Sequence, residues 1–257
     1  MPDHAVASRE EWLAARLELL EKEKQMTRLR DELSRERRAL PWVKVEKSYV
    51  FEGPDGPASL SDLFDGRSQL VVQHFMFSPD WEEGCVGCSF HADHSEGALV
   101  HLANNDVSFV RVSRAPIAKL RAFNQRMGWN ANWVSSFDND FNRDFQVSFT
   151  NEEHERGEVR YNFGPVAYRL PEYSGLSVFA RDAAGEVYHT YSCFARGDEG
   201  AISTYFYLDL TPKGRDETGP HFNLMDWVRH HDRYGFQGFV DATSLFSTGR
   251  VKYEAAS

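Results

Sequence analysis

Between Arg9 and Arg38 the chain carries no Gly or Pro, and Trp12, Leu19, Met26, Leu33 and Leu40 recur at intervals of seven. Strong helix formers fill the remaining positions, so the pattern predicts one helix of about 30 residues, about 45 Å long, closed by Pro41. The companion column reads Ala15, Lys22, Leu29 and Glu36 and is only half apolar. A long regular coiled coil fills both columns, so this arm is expected to pack on its own domain or against a dimer partner.

After the arm, strand and helix signals alternate in the manner of an α/β layer. Tyr49 to Glu52 and Ala58 to Leu60 flank the turn residues 53–57 and predict a hairpin, followed by a short helix through Leu63 and Phe64. The stretch from Gln69 to Phe77 is apolar but for Gln69, Gln73 and His74, which predicts a central strand buried on both faces. Further expectations are a helix over 88–104, a strand over 108–112 and a helix to Met127 with Pro116 in its first turn. A hairpin is expected from 176–181 and 186–191, and a strand over 204–210. The domain scheme is an arm over 1–41, an α/β domain over 42–212 and a C-terminal extension over 213–257 packed on it, ordered but irregular.

Composition narrows the function classes. The 257 residues include 41% apolar and 14% aromatic side chains, enough burial to offset chain ordering and exclude wholesale disorder. A formal charge of -10 supplies no overall phosphate-neutralising surface, so nucleic acid is not an expected partner. No run approaches the ~20 apolar residues of a membrane span, and the opening MPDHAVASREEW lacks the basic and apolar regions of a signal peptide. A cytosolic protein that does not engage membranes is expected. With 3 cysteines, a close pair there points to redox or metal chemistry rather than a disulfide framework.

That pair is Cys85 and Cys88, in the run Gly-Cys-Val-Gly-Cys between a buried strand and a helix. A thiol at a helix N-terminus meets the positive end of the macrodipole and unpaired backbone donors, which stabilise its thiolate. The thiolate attacks in disulfide exchange, and a second cysteine two residues on can resolve the mixed disulfide. Cys85 is therefore expected to attack and Cys88 to resolve. Asp80, Glu82 and Glu83 precede the pair, and like charge opposes a neighbouring thiolate. The metal alternative uses Cys85, Cys88 and His91, soft and imidazole ligands suited to Zn or Cu. His94 extends the three-residue series but would point away on a continuous helix, and is expected to be solvated; no cofactor is otherwise expected.

Other candidates stand apart in sequence. His189 on a predicted strand could face the cysteines as a proton shuttle, or be a hydrogen-bonded core histidine; His74 in the buried strand carries the same ambiguity. Arg111 and Arg114 end a strand on the edge where open α/β sheets place their sites, or are solvated. Cys193 reads as a small core residue, with a third redox thiol as the alternative.

The segments YVFEGPDG, HFMFSPDWEEGCVGCSF, RMGWNANWVSS, DFNRDFQVS and VYHTYSCFARG resemble, nearly end to end, the bacterial thioredoxin-like family catalogued as domain of unknown function 899. That resemblance implies an α/β thioredoxin-like fold in its peroxiredoxin-like variant, a central mixed sheet flanked by helices behind a long N-terminal helical arm. It implies a dithiol-disulfide oxidoreductase acting through Cys85 and Cys88 on a protein or small-molecule thiol or disulfide. From the residues themselves, His91, His189, Arg114 and His74 are the candidate proton or substrate partners, and a homodimer through the arm is the expected assembly. A catalytically silent binding module is the further alternative. Three departures stand out. No proline immediately precedes the strand starting at 175–177, where thioredoxins carry the cis proline beside which substrate backbone pairs. Position 82 is Glu where peroxiredoxins need Thr or Ser, and His91 stands where the family usually has an aromatic residue.

Overall fold

Ser8 starts the arm. Its hydroxyl accepts from the Glu11 N–H while the Glu11 carboxylate accepts from the Ser8 N–H, a reciprocal cap. The helix α1 then runs Arg9–Ala39 with Arg37 and Arg38 in its last turn, where cations suit the negative end of the helix. None of its residues is buried. The protein is described here from a computed structural model that covers residues 4–166, 168–215 and 227–234. It divides into two compact units, Met1–Trp42 and Val43–Ser257.

In the second unit, β1 (Val43–Lys44), the hairpin β2 (Val50–Gly53) and β3 (Gly56–Ser59), and a single 3-10 turn (Asp62–Phe64) precede the central strand β4 (Gln69–His74). Then come α2 (Val86–Glu96), α3 (Leu99–Asn104), β5 (Val107–Ser113), α4 (Ile117–Met127) and β6 (Asn132–Ser135). Short elements follow: α5 (Phe141–Asp144), α6 (Asn151–Glu155), β7 (Arg160–Tyr161) and β8 (Gly164–Pro165). The hairpin β9 (Gly175–Arg181) and β10 (Val187–Phe194) leads through a 3-10 segment to α7 (Ser203–Asp209).

The main sheet has the order β1-β10-β9-β4-β5-β6-β2-β3. β4, β5 and β6 are parallel, whereas β9 runs antiparallel to β4 and β10 antiparallel to β9. A parallel βαβ core flanked by an antiparallel hairpin is the thioredoxin-like layer that the sequence leads one to expect. Alternation along the strands separates the two faces. Leu70, Val72, Val110 and Val112 join Phe64, Phe141 and Phe179 in one buried cluster. Gln73 and Arg111 point the other way, toward α2, where Phe75, Phe77, Leu120, Phe123 and Trp133 form a second cluster.

Three expectations change. The helix predicted over 88–104 begins at Val86 and breaks at Gly97 into two. The strand predicted over 204–210 is the helix α7: Ile202, Tyr205 and Leu208, spaced by three, pack on Val86 and Phe90, whereas Phe206 and Tyr207 face solvent. Aromatic content suggested a strand, but the buried positions follow the helical period. Pro116 precedes α4 as its cap rather than lying in its first turn. Of the extension expected over 213–257, residues 213–215 and 227–234 are described. Val228 and His230 are fully buried, and the rest of that expectation lies outside the described residues. Among the described residues, no helix is long and apolar enough to cross a membrane.

Candidate active site at the Cys85–Cys88 pair

Beyond His74 the chain stays extended, with the Phe75 N–H donating to the Val112 carbonyl at 3.0 Å and the Ala115 N–H to the Phe77 carbonyl at 2.8 Å. It then turns at Ser78 and doubles back, so that the Cys85 N–H reaches the Met76 carbonyl at 3.0 Å. The return passes through Gly84, where an added Cβ would stand 2.6 Å from Phe75 Cε1 and 3.0 Å from Phe123 Cε1. Only glycine brings the backbone this close to two buried rings. The turn delivers Cys85 to the N-cap of α2.

At that position Cys85 Sγ accepts from the Cys88 N–H at 3.5 Å, the role Ser or Asp fills in most helices. Met76 donates its N–H to Cys88 Sγ at 3.4 Å, and the Gln73 amide donates to the Cys88 carbonyl at 3.2 Å. Cys85 is half-buried and Cys88 buried, and both are thiols. The neighbouring Cys88 side chain, with burial opposing and the Cys88 and Gly87 N–H groups assisting, holds the Cys85 thiol below its ordinary range. Burial first, then the Cys85 side chain and its negative charge, push the Cys88 thiol well up. The site thus sets a lowered thiol beside a raised one. The opposing field expected from Glu83 is offset, because its carboxylate pairs with Arg126 at 2.7 Å and with Arg233. His230 donates from Nε2 to the Gly84 carbonyl at 3.0 Å, so residues 227–234 close over this loop.

Both sulfurs line a cavity of about 510 Å³. His91 and His74 line it too. His91 is buried, its Nδ1 3.6 Å from an Asp198 carboxylate oxygen. His74 is fully enclosed; burial first and the charge of His189 second push its pKa down to about 3, which leaves a neutral ring. Its Nε2 meets Ser177 Oγ at 2.7 Å, Ser177 meets Ser192 Oγ at 2.8 Å, and Ser192 meets His189 Nε2 at 2.8 Å.

Several candidates lie elsewhere. His189 does not face the cysteines: its ring sits against Phe145 and Phe179 and reaches the cavity only through the two serines. Arg114 is drawn off to Glu172 at 3.2 Å and does not line the cavity. Arg111 is not solvated but fully buried, paired with Glu96 at 2.8 Å and bonded to Gln73 at 3.2 Å. His94 is not solvated either: its Nε2 accepts from the Thr204 N–H at 3.2 Å, leaving Nδ1–H to donate to the Phe90 carbonyl. Cys193 is buried at the end of β10. Among the described residues no three His, Cys, Asp or Glu side chains are grouped to hold a metal ion, the Cys85–Cys88–His91 set included.

The sequence gives no sign of Tyr161, Tyr168, Tyr173 and Asp198, which line the cavity, or of the buried Glu172 next to Tyr173 in the chain. They come from short elements and irregular runs 70 or more positions after the pair, and no local spacing connects them to it.

A model of the family described as bacterial proteins of unknown function (DUF899) matches residues 1–234, and the chain belongs to that family. No curated protein matches it. Among solved structures, the chain is similar to the peroxidoxin BcpB of Mycobacterium tuberculosis at 16% identity, over 64% of this chain and 94% of that one, with a TM-score of 0.42. Peroxiredoxin Q of Xanthomonas campestris is similar at 15% identity over 60% and 85%, TM-score 0.43. The mitochondrial 2-Cys peroxiredoxin of Plasmodium falciparum is similar at 14% identity over 66% and 95%, TM-score 0.38.

Proposed function

We propose that this family member is a dithiol-disulfide oxidoreductase working through Cys85 and Cys88. The observation that carries the reading is the asymmetry of the pair: one half-buried thiol lowered at a helix cap, one buried thiol raised behind it, both on one cavity. Cys85 thiolate attacks a sulfur of the substrate disulfide; that S–S bond breaks, and the departing half leaves as a thiolate and takes up a proton. Cys88 then loses its proton and attacks Cys85 Sγ, forming the Cys85–Cys88 disulfide and releasing the second half as a thiolate. The protein gives up two electrons and the substrate gains two, and a dithiol reductant restores the pair. We assign acceptance of the Cys88 proton to His91, beside Asp198 on the same cavity. Such a pair is kept reduced in the cytosol, the compartment this reading implies. We assign the exposed apolar column of α1 to homodimerisation.

Redox titration with thiol alkylation tests this. The wild type is expected to show one reversible two-electron couple. Cys85→Ser is expected to lose both the couple and disulfide turnover while unfolding within about 1 kcal/mol of the wild type, since Ser is a good N-cap. Cys88→Ser is expected to accumulate a mixed disulfide on Cys85. Undiminished turnover in Cys85→Ser would remove the mechanism.

A further inference from the structure

We infer that the substrate taken by this site is a small uncharged disulfide bearing aromatic or alkyl groups, rather than a protein disulfide or a carboxylate-rich peptide disulfide; the inference rests on the thiol-exchange reading above. Size comes first. A cavity of about 510 Å³ lies in the range that encloses small organic ligands.

The walls come second. Tyr161 and Tyr173 pack with ring centroids 4.5 Å apart and planes tilted by 35°, and Tyr168 adds a third ring 5.7 Å from Tyr173. Two of these hydroxyls are already engaged inside the protein. Tyr161 donates to the Ser174 carbonyl at 2.8 Å and accepts from the Ala195 N–H at 2.9 Å. Tyr173 donates to the Tyr168 carbonyl at 2.8 Å and accepts from the Leu170 N–H at 3.2 Å. Tyr161 and Tyr173 therefore offer ring carbon rather than donors, and aromatic carbon selects apolar and aromatic groups.

Charge is the third observation. Among the described residues one arginine, Arg196, lines the cavity; it pairs with Glu199 at 3.1 Å, and Glu199 also holds Arg215. Asp198 adds a second carboxylate to the lining. A ligand rich in carboxylates meets like charge here and finds its arginine already paired.

The backbone gives the fourth. An extended peptide binds by pairing with an open strand edge. Gly175, beside the cysteines, is paired on both sides, with His74 of β4 and Phe194 of β10. Just upstream, the Tyr173 N–H is taken by the Val147 carbonyl at 2.7 Å and the Pro171 carbonyl by the Phe149 N–H at 3.2 Å. The Ser174 carbonyl is taken by Tyr161. This stretch has already spent its pairing groups on its own chain.

The test measures kcat/KM of the full-length reduced protein for 4,4′-dipyridyl disulfide, bis(2-hydroxyethyl) disulfide, glutathione disulfide and insulin. Each value is divided by the rate of the same disulfide with dithiothreitol, which removes intrinsic reactivity. The normalised value for dipyridyl disulfide is expected to exceed those for glutathione disulfide and insulin at least tenfold, with the hydroxyethyl compound between. Glutathione disulfide or insulin matching or surpassing it, or no turnover of dipyridyl disulfide by a protein with an intact two-electron couple, overturns the substrate class alone. Absence of the couple itself overturns the thiol-exchange reading, and this inference with it.

Discussion

Glu172 shows how a single side chain ties the fold to pH. Its carboxyl is 1% exposed, hydrogen-bonded to Ser148 and 3.2 Å from Arg114. Burial is the largest influence and outweighs both partners, pushing its pKa from 4.5 up to about 7. Between those values the folded chain holds a proton that the unfolded chain has released, so stability falls as pH rises through this window. Above pH 7 the cost is on the order of 3 kcal/mol. Glu172→Gln keeps the hydrogen-bonding shape and removes the ionisation. Urea unfolding at a series of pH values is expected to show the variant gaining on the wild type from about pH 4.5 to 7, with a constant difference outside that range. A difference that stays constant throughout would mean that Glu172 titrates normally. The cysteines divide by the same contrast of burial and donors: the cap donors and the Cys88 thiol lower Cys85, whereas burial dominates Cys88.

At the scale of elements, two glycines near α2 should respond oppositely to the same substitution. Gly84→Ala drives a methyl into Phe75 and Phe123, both buried, and overpacking of this kind costs about 1–3 kcal/mol. The loop that carries Cys85 would have to shift, so disulfide turnover should fall with stability. At Gly97 nothing stands within 4 Å of an added Cβ, and φ is -68°. Gly97→Ala should therefore stabilise by about 0.4–1 kcal/mol by restricting the unfolded chain. Chemical denaturation of the two variants checks both signs, and a neutral Gly84→Ala would show that the rings yield. These positions also mark what the sequence could disclose. The strand–turn–cysteine–helix unit is local, and its spacing sets the cysteine pair at a helix N-terminus, although the helix starts at Val86 rather than 88. The break at Gly97 was invisible because an isolated glycine inside a helical pattern is often tolerated. The helix α7 reads as a strand by its aromatic content, whereas the three-residue spacing of Ile202, Tyr205 and Leu208 follows the helix. The tyrosine wall is illegible in the sequence, since Tyr161 of β7 and Tyr168 and Tyr173 of the irregular run before β9 assemble it, and only the folded chain brings them to α2.

The whole molecule distributes its apolar surface unevenly between its two units. Among the described residues, the four buried clusters are all built from residues after Trp42, so the second unit contains its own core. The arm instead leaves Trp12, Leu19, Met26, Leu33 and Leu40 between 40% and 60% exposed along one helical column. A 31-residue helix with such a column gains by pairing it with a copy of itself, because each side chain removed from water contributes roughly 25 cal/mol per Å² of apolar area. The half-filled companion column, with Lys22 and Glu36 in it, limits that gain and suits a dimer that dissociates on dilution. Light scattering is expected to report a dimer for the full chain and a monomer for residues 43–257, the latter still unfolding cooperatively. The melting temperature should rise with concentration for the full chain alone. Leu33→Glu, which places a charge in the middle of the column, should give the monomer without loss of secondary structure. Equal masses for the full and shortened chains would assign the column another role and leave the cysteine chemistry to a single chain.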